Sequence, residues 1–285
     1  MAINIVIISV TLLGITVISF ALLQNFLKER KLRTELERLA SELEKANGKL
    51  AEHDRLKTEF VAIASHQLRS PLTSIRGYVS LLQDGSCGQL SPQADQALER
   101  IAESAKHMAY SIEDYLNISQ IETGNMQYVY SDVNLKNEVE RIVDDLRFQA
   151  TKKGLVILHR NKVNGHGVIH ADQGKVFQIT QNILNNAIKY TPQGGIKVFV
   201  RDDLVRKKIY VDVEDNGIGM NQKDIHTIFD KFARARNAST VDVDGTGLGL
   251  YVAYKMTKDM GGEIYAHSEG EGKGSRFTVE FPMVM

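Results

Sequence analysis

The residue types best able to do chemistry lie in a few short groups, and the first surrounds one histidine. His66 sits between Phe60 and Leu72, in company with Ser65, Gln67, Ser70 and Pro71. An imidazole with an ordinary pKa of about 6.5 keeps many of its lone pairs free near neutral pH, and such a nitrogen can attack phosphorus. At about 100° per residue, Leu56, Phe60, Ile63, Ala64, Leu68, Ile75 and Leu82 form one apolar stripe, with His66 nearly opposite, so the ring is expected to face solvent. Pro71 cannot donate to the carbonyl of Gln67, so the helix is expected to loosen or kink just past the ring. Taken alone, such a histidine is a surface residue of an amphipathic helix. The downstream groups change that reading.

Asn182, Asn186 and Lys189, followed by Tyr190, fall within two helical turns and present two amides and a cation to one side. Amide oxygens can ligate Mg2+, and an ammonium can reach phosphate. By itself the pattern is a polar stripe on a solvated helix. Asp215 follows a strand and precedes Gly217 and Gly219, where a carboxylate can accept from an exocyclic amine while the glycines allow close backbone approach. Gly245, Thr246, Gly247, Leu248 and Gly249 then open a helix whose free N–H groups make a phosphate seat. Between them lie Phe229, Phe232, Arg234 and a polar run to Asp244, read as a mobile lid held by the two phenylalanines, with the arginine to meet phosphate. Gly272 and Gly274 mark a tight turn into a strand around Phe277.

In this order, the group around Ser65, His66 and Pro71, the Asn182 to Tyr190 group, Asp215 to Gly219, the Phe229 and Phe232 pair, and Gly245 to Gly249 resemble the motifs of membrane sensor histidine kinases of bacterial two-component systems. The resemblance covers roughly residues 55–285, and motifs in a fixed order are far more specific than any one of them. It implies ATP held in a GHKL-type (Bergerat) α/β sandwich, Mg2+ held through Asn182 or Asn186, and adenine read by Asp215. It also implies phosphorylation of His66 and relay to an aspartate of a response regulator. The related chaperone, gyrase and mismatch-repair ATPases place a water-activating glutamate where Asn182 stands. An amide cannot take a proton from water, which favours transfer to a protein acceptor over hydrolysis.

Two positions depart from that family. It most often carries Glu or Asp directly after the histidine as a base, and Thr or Asn four residues after it to orient water for dephosphorylation. Here Gln67 and Ser70 stand in those places. Gln67 can accept from the ring N–H but cannot remove its proton, so slow autophosphorylation is expected. The competing readings are a GHKL protein that uses ATP as a conformational clamp or hydrolyses it, and a scaffold with a vestigial site.

The elements that must position these groups begin with an apolar run. Residues 3–23 carry no charge, and Lys28, Arg30, Lys31 and Arg33 follow. A run of about 20 apolar residues spans a bilayer, and basic residues after it place the remainder in the cytoplasm. A transmembrane helix over residues 1–27 is therefore expected; a cleaved signal peptide would want its basic residues first. Residues 28–55 form an expected coiled coil, with Leu32, Leu36, Leu39, Leu43, Ala46 and Leu50 as the seam and a slip in register after Leu50. The slip either transmits rotation or is idle. No ectodomain precedes the apolar run, so sensing is expected in the membrane helix or a partner.

Residues 56–124 are expected to be a helical hairpin, broken after Gln83 and restarted by Ser91 as N-cap and Pro92. Its second helix repeats Leu98, Ile101, Ala105, Met108, Ile112 and Tyr115 at helical spacing. A hairpin with one apolar face per helix buries it as a four-helix bundle, so a homodimer is expected. Residues 130–285 alternate helix and strand as a layered α/β domain. Lys plus Arg equal Asp plus Glu at 35 each, so no net field points to nucleic acid. Cys87 is a lone cysteine, which suits a reducing cytosol and leaves no cysteine metal site. His107, His166 and His170 lack metal-ligand spacing.

Overall fold

The computed structural model describes residues 2–86, 88–238 and 245–284; the side chains at 2–13, 15–19, 21, 51, 53, 57, 58, 60, 62 and 66 lie outside the described set. The expected outward ring of His66 and most side chains of the apolar run at 3–23 therefore lie outside the described set. Among the described residues, no helix is long and apolar enough to cross a membrane.

The chain divides into two units, Met1–Glu59 and Phe60–Met285. The first unit is the opening part of helix α1 (Ala2–Gln83). Its heptad leucines, Leu32, Leu36, Leu39, Leu43 and Leu50, are 52–63% exposed in the single chain. Along its surface Arg38 pairs with Glu42 at 3.4 Å, a contact worth only a few tenths of a kcal/mol at an exposed site, roughly.

In the second unit α1 continues without interruption through Pro71. The expected loosening thus amounts to one missing backbone bond, and the helix does not end there. Downstream, the Thr73 and Ser74 hydroxyls donate to the carbonyls of Arg69 and Ser70 at 2.9 and 3.3 Å. The helix ends at Gln83, and the turn is closed by the Ser86 N–H donating to Asp84 at 2.9 Å. Helix α2 (Pro92–Glu122) starts as its sequence dictates, with the Ser91 hydroxyl accepting from the Ala94 N–H at 3.2 Å and Pro92 in the first turn.

The apolar faces of this hairpin divide differently from the single stripes expected. Among the described residues of α1 the buried positions are Ser65, Leu72 and Val79, seven residues apart, whereas Leu56, Ile63, Leu68 and Ile75 stay 41–51% exposed. On α2, Ala105 is buried and Leu98 and Ile112 are half-buried, while Ile101, Met108 and Tyr115 are 46–52% exposed. The physical reason is geometric. Positions seven apart share one heptad row, and within one chain the hairpin covers that row and leaves the adjacent one open.

Beyond the hairpin, β1 (Tyr130–Asn134) pairs antiparallel with β3 (Val168–Asp172). A second sheet has the order β2-β4-β5-β7-β6, from strands Val156–Lys162, Gly195–Asp203, Lys208–Asp215, Ser275–Pro282 and Glu263–His267. Only β2 and β4 run parallel within it. Ile196, Val198 and Val200 of β4 and Val279 and Phe281 of β7 are buried, joining Ile142, Val143 and Leu146 of α3 (Leu135–Lys152) in the core. Ile179, Ile183 and Leu184 of α4 (Gln173–Tyr190) and Val252 and Met256 of α6 (Gly249–Asp259) complete it. Ladders alternate faces, so the opposite face is polar. There Arg201 meets Asp212 at 2.6 Å and covers the Tyr210 ring at 4.1 Å. This is the expected two-layer α/β arrangement. Strand β1 and the short helix α5 (Gln222–Thr227) are additions that the sequence pattern did not announce.

The core also reaches back into the hairpin. Ile118 of α2 belongs to it, and Ile121, Met126 and Tyr128 pack against it. Glu122 pairs with Lys231, and the Tyr128 hydroxyl donates to Asp259 at 2.8 Å.

Candidate functional site

Helix α4 is capped by Asp172, whose carboxylate accepts from the Lys175 N–H at 3.0 Å. Its apolar face fixes its rotation, and Asn182 and Asn186 consequently stand half-buried on one side. The Asn186 amide donates to the Asn182 oxygen at 3.1 Å. That pairing engages the Asn182 oxygen and leaves the Asn186 oxygen to other partners, a hard donor suited to a divalent cation. Among the described residues, no group of three or more His, Cys, Asp or Glu is placed to hold a metal ion. Mg2+ would fit here in the manner usual for nucleotide sites, with one or two protein oxygens and the rest from phosphate and water. Lys189 lies in the last turn of α4, its ammonium 5.8 Å from the Tyr190 ring centroid.

The glycine-rich group comes to the same place. Gly249 opens α6, and a Cβ added there would sit 2.3 Å from the Asn182 amide nitrogen. A side chain there would have to displace the Asn182 amide, and its absence lets the N-terminus of α6 lie against the paired amides. Leu248 is fully buried at the cap, and its N–H reaches the Thr246 hydroxyl at 3.4 Å. The cap has no side-chain hydrogen bond of its own, so first-turn N–H groups remain for an anion. Gly245 and Thr246 are half-buried beside it.

Asp215 ends β5. Its carboxylate accepts from the Gly217 N–H at 2.8 Å. Burial pushes its pKa up to about 6, although the N–H groups of Gly217 and Ser275 pull the other way. Such a group is desolvated without a cation beside it, the condition in which a neutral amine donor is most welcome. The loop then doubles back: the Ile218 N–H donates to the Tyr190 carbonyl at 3.0 Å, tying the end of α4 to this motif. Gly219 has φ of 63°, and a Cβ there would meet the Gly270 carbonyl oxygen at 2.1 Å.

The two phenylalanines part company. Phe229 is packed, its ring 5.6 Å from Tyr254 and edge-on to Phe277 at 6.4 Å. Phe232 is 64% exposed among the described residues, at φ of 61°. The backbone there turns sharply to pass against Gly247. Arg234 is half-buried. Residues 239–244 of the expected lid lie outside the described residues. Near the histidine, Ser65 is buried and Gln67 and Ser70 are exposed. His170 faces Asp132 at 3.0 Å and stacks on Tyr130, away from these groups.

Sequence reasoning passed over several residues that build the site. Asn237 donates to the carbonyls of Ile218 and Gly219 at 3.2 and 3.0 Å. Asp224, buried on α5, accepts from the Arg236 N–H at 3.0 Å. Ser268 is bonded to Met220 and Gly274. None belongs to a motif, and each acts across the fold.

With this geometry in place, the comparisons decide the family. Residues 171–285 match the family described as histidine kinase-, DNA gyrase B- and HSP90-like ATPase. Residues 56–124 match the His Kinase A phospho-acceptor domain. The chain carries the two domains of a sensor histidine kinase. It is 35% identical over 230 residues to the sensor histidine kinase WalK of Bacillus subtilis, covering 80% of this chain and 37% of that protein. It is 31% identical over 239 residues to the signal transduction histidine-protein kinase BarA of Escherichia coli, covering 83% of this chain and 26% of that one. The chain thus spans about a third of the length of such histidine kinase relatives. A solved structure of full-length ShkA in complex with AMPPNP superposes with a TM-score of 0.62 at 25% identity, over 80% of this chain and 46% of ShkA. The histidine kinase AdeS of Acinetobacter baumannii shares the fold, with a TM-score of 0.52 at 22% identity over 77% of this chain and 98% of AdeS.

Proposed function

We propose that this chain is an ATP-dependent protein-histidine kinase that phosphorylates its own His66 and passes the phosphoryl group to an aspartate of a response regulator receiver domain. The observation that carries this reading is the seating of the α6 N-terminus against the Asn182 and Asn186 amides. It joins an anion seat, oxygen ligands and a cation on one wall, with Asp215 as the base-reading acceptor. In the transfer, a ring nitrogen of His66 bonds to the γ-phosphorus, the bond to the bridging oxygen of ADP breaks, and the ring proton leaves to solvent. Mg2+, when bound through Asn182 or Asn186, supplies neutralisation of phosphate charge. The residues present supply the rest: Lys189, Arg234 and the α6 N–H groups hold phosphate, and Gly245 to Gly249 shape its seat. Phosphoryl transfer asks for positioning and charge more than covalent chemistry, so this set suffices.

The proposal extends to assembly. The exposed rows at Ile63, Leu68, Ile75, Ile101, Met108 and Tyr115 and the coil leucines support a homodimer through residues 28–124. The uncharged run at 3–23 with its trailing basic cluster supports a membrane anchor with the kinase in the cytoplasm; extraction of the chain from membranes by alkaline carbonate would refute the anchor.

Incubation with γ-labelled ATP tests the central reading. Acid-labile, base-stable label on the protein, absent in His66→Ala, is expected. Released phosphate without labelled protein would instead mark an ATPase or nucleotide clamp.

A further inference from the structure

The Asp215 carboxylate is aimed by backbone groups, and one of them is controlled from a distance. It accepts from the Gly217 N–H at 2.8 Å, and the Gly217 carbonyl in turn accepts from the Gly274 N–H at 3.2 Å. Gly274 therefore holds Gly217 in place, and what fixes Gly274 is the partner of its own carbonyl. That carbonyl receives the Ser268 hydroxyl at 2.6 Å. Ser268 is 2% exposed, and its oxygen accepts in turn from the N–H groups of Met220 at 3.0 Å and Gly270 at 3.3 Å. Its own carbonyl accepts from the Gln222 side chain at 3.1 Å. The Gly272 N–H closes the same clamp on the Ile218 carbonyl at 2.6 Å.

A hydroxyl has one proton and two lone pairs, and here all are used. Removing it would strand the Gly274 carbonyl and the Met220 N–H in a site closed to water. Gly274 would then turn to recover a partner, loosening its N–H from the Gly217 carbonyl and with it the Gly217 N–H that holds Asp215.

Resting on the ATP-binding reading above, we propose that Ser268 is a positioning residue for base recognition. By clamping Gly274, which holds Gly217, it aims Asp215 at the exocyclic amine of adenine, and so sets the preference for a purine that carries that amine. Ser268 itself touches no nucleotide.

The test compares equilibrium binding of ATP and of purine riboside triphosphate, which has hydrogen in place of the amine, to the full chain with Mg2+. Wild type is expected to favour ATP by about tenfold or more, the usual worth of a hydrogen bond to a charged acceptor. In Ser268→Ala that preference should shrink to within about threefold, through weaker ATP binding with little change for the analogue. Adding Ser268→Ala to Asp215→Asn should cost nothing further, because the two act on one contact. Ser268→Thr, which keeps the hydroxyl, should retain the preference. Should Ser268→Ala not fold, Ser268→Cys, with a weak donor in the same place, is read the same way. Equal weakening of both nucleotides in Ser268→Ala, or an unchanged preference, overturns the proposal alone. Absence of ATP binding in wild type overturns it together with the kinase reading.

Discussion

Asp215 serves the site at some expense to the fold. Its carboxyl is held up near pH 6 by burial, so the folded chain binds that proton more tightly than the unfolded chain does. The group is harmless below about pH 4 and penalises folding increasingly as pH rises from there through 6. Asp215→Asn is therefore expected to raise unfolding free energy at pH 7.5 by about 1–2 kcal/mol, discounted for residual solvent, with no gain at pH 4. Denaturant titrations at the two pH values check this. The same substitution should weaken ATP binding by about tenfold or more, because an amide offers a poorer acceptor than a carboxylate. At the acceptor ring, Gln67→Glu should accelerate autophosphorylation by about tenfold or more in single-turnover kinetics, since a carboxylate can take the ring proton and an amide cannot. A rate equal to wild type would show that proton removal is not limiting.

At the scale of elements, the loops are held by approaches that leave no room. Gly219→Ala puts a methyl against the Gly270 carbonyl and forces an L residue to a φ of 63°. A loss of at least about 2 kcal/mol is expected, with ATP binding falling in parallel, and thermal melts with and without nucleotide would measure both. Much of this layer was legible beforehand. The helix through Leu135, Val139 and Ile142, the cap at Ser91, and the β4 and β5 hairpin follow from local periodicity and local hydrogen bonds, which a sequence displays directly. Asn182 and Gly249 were each legible as chemistry, but their contact was not. Nor was Ser268, which meets Met220 across 48 residues and carries no spacing signal. Phe229 packs as its aromatic type suggests, whereas the turn of the backbone at Phe232 against Gly247 carries no local signal.

For the whole molecule, the division of the hairpin faces matters most. The rows at Leu98, Ala105 and Ile112 are satisfied within one chain, and those at Ile101, Met108 and Tyr115 are not. Met108→Asp should thus leave the single chain folded and weaken self-association at least about tenfold, from the desolvation of a carboxylate at the bundle centre; sedimentation of the full chain in detergent would report it. A variant as dimeric as wild type would place the interface elsewhere.

The entry of Ile118 into the α/β core bears on how the protein can be taken apart. A fragment begun at Tyr130 would lack Ile118, Ile121 and Met126 and start life with an open seam along its interior, prone to clumping. Conversely, any rotation of the last turns of α2 would have to unseat Ile118 from the nucleotide half or carry that interior along with it.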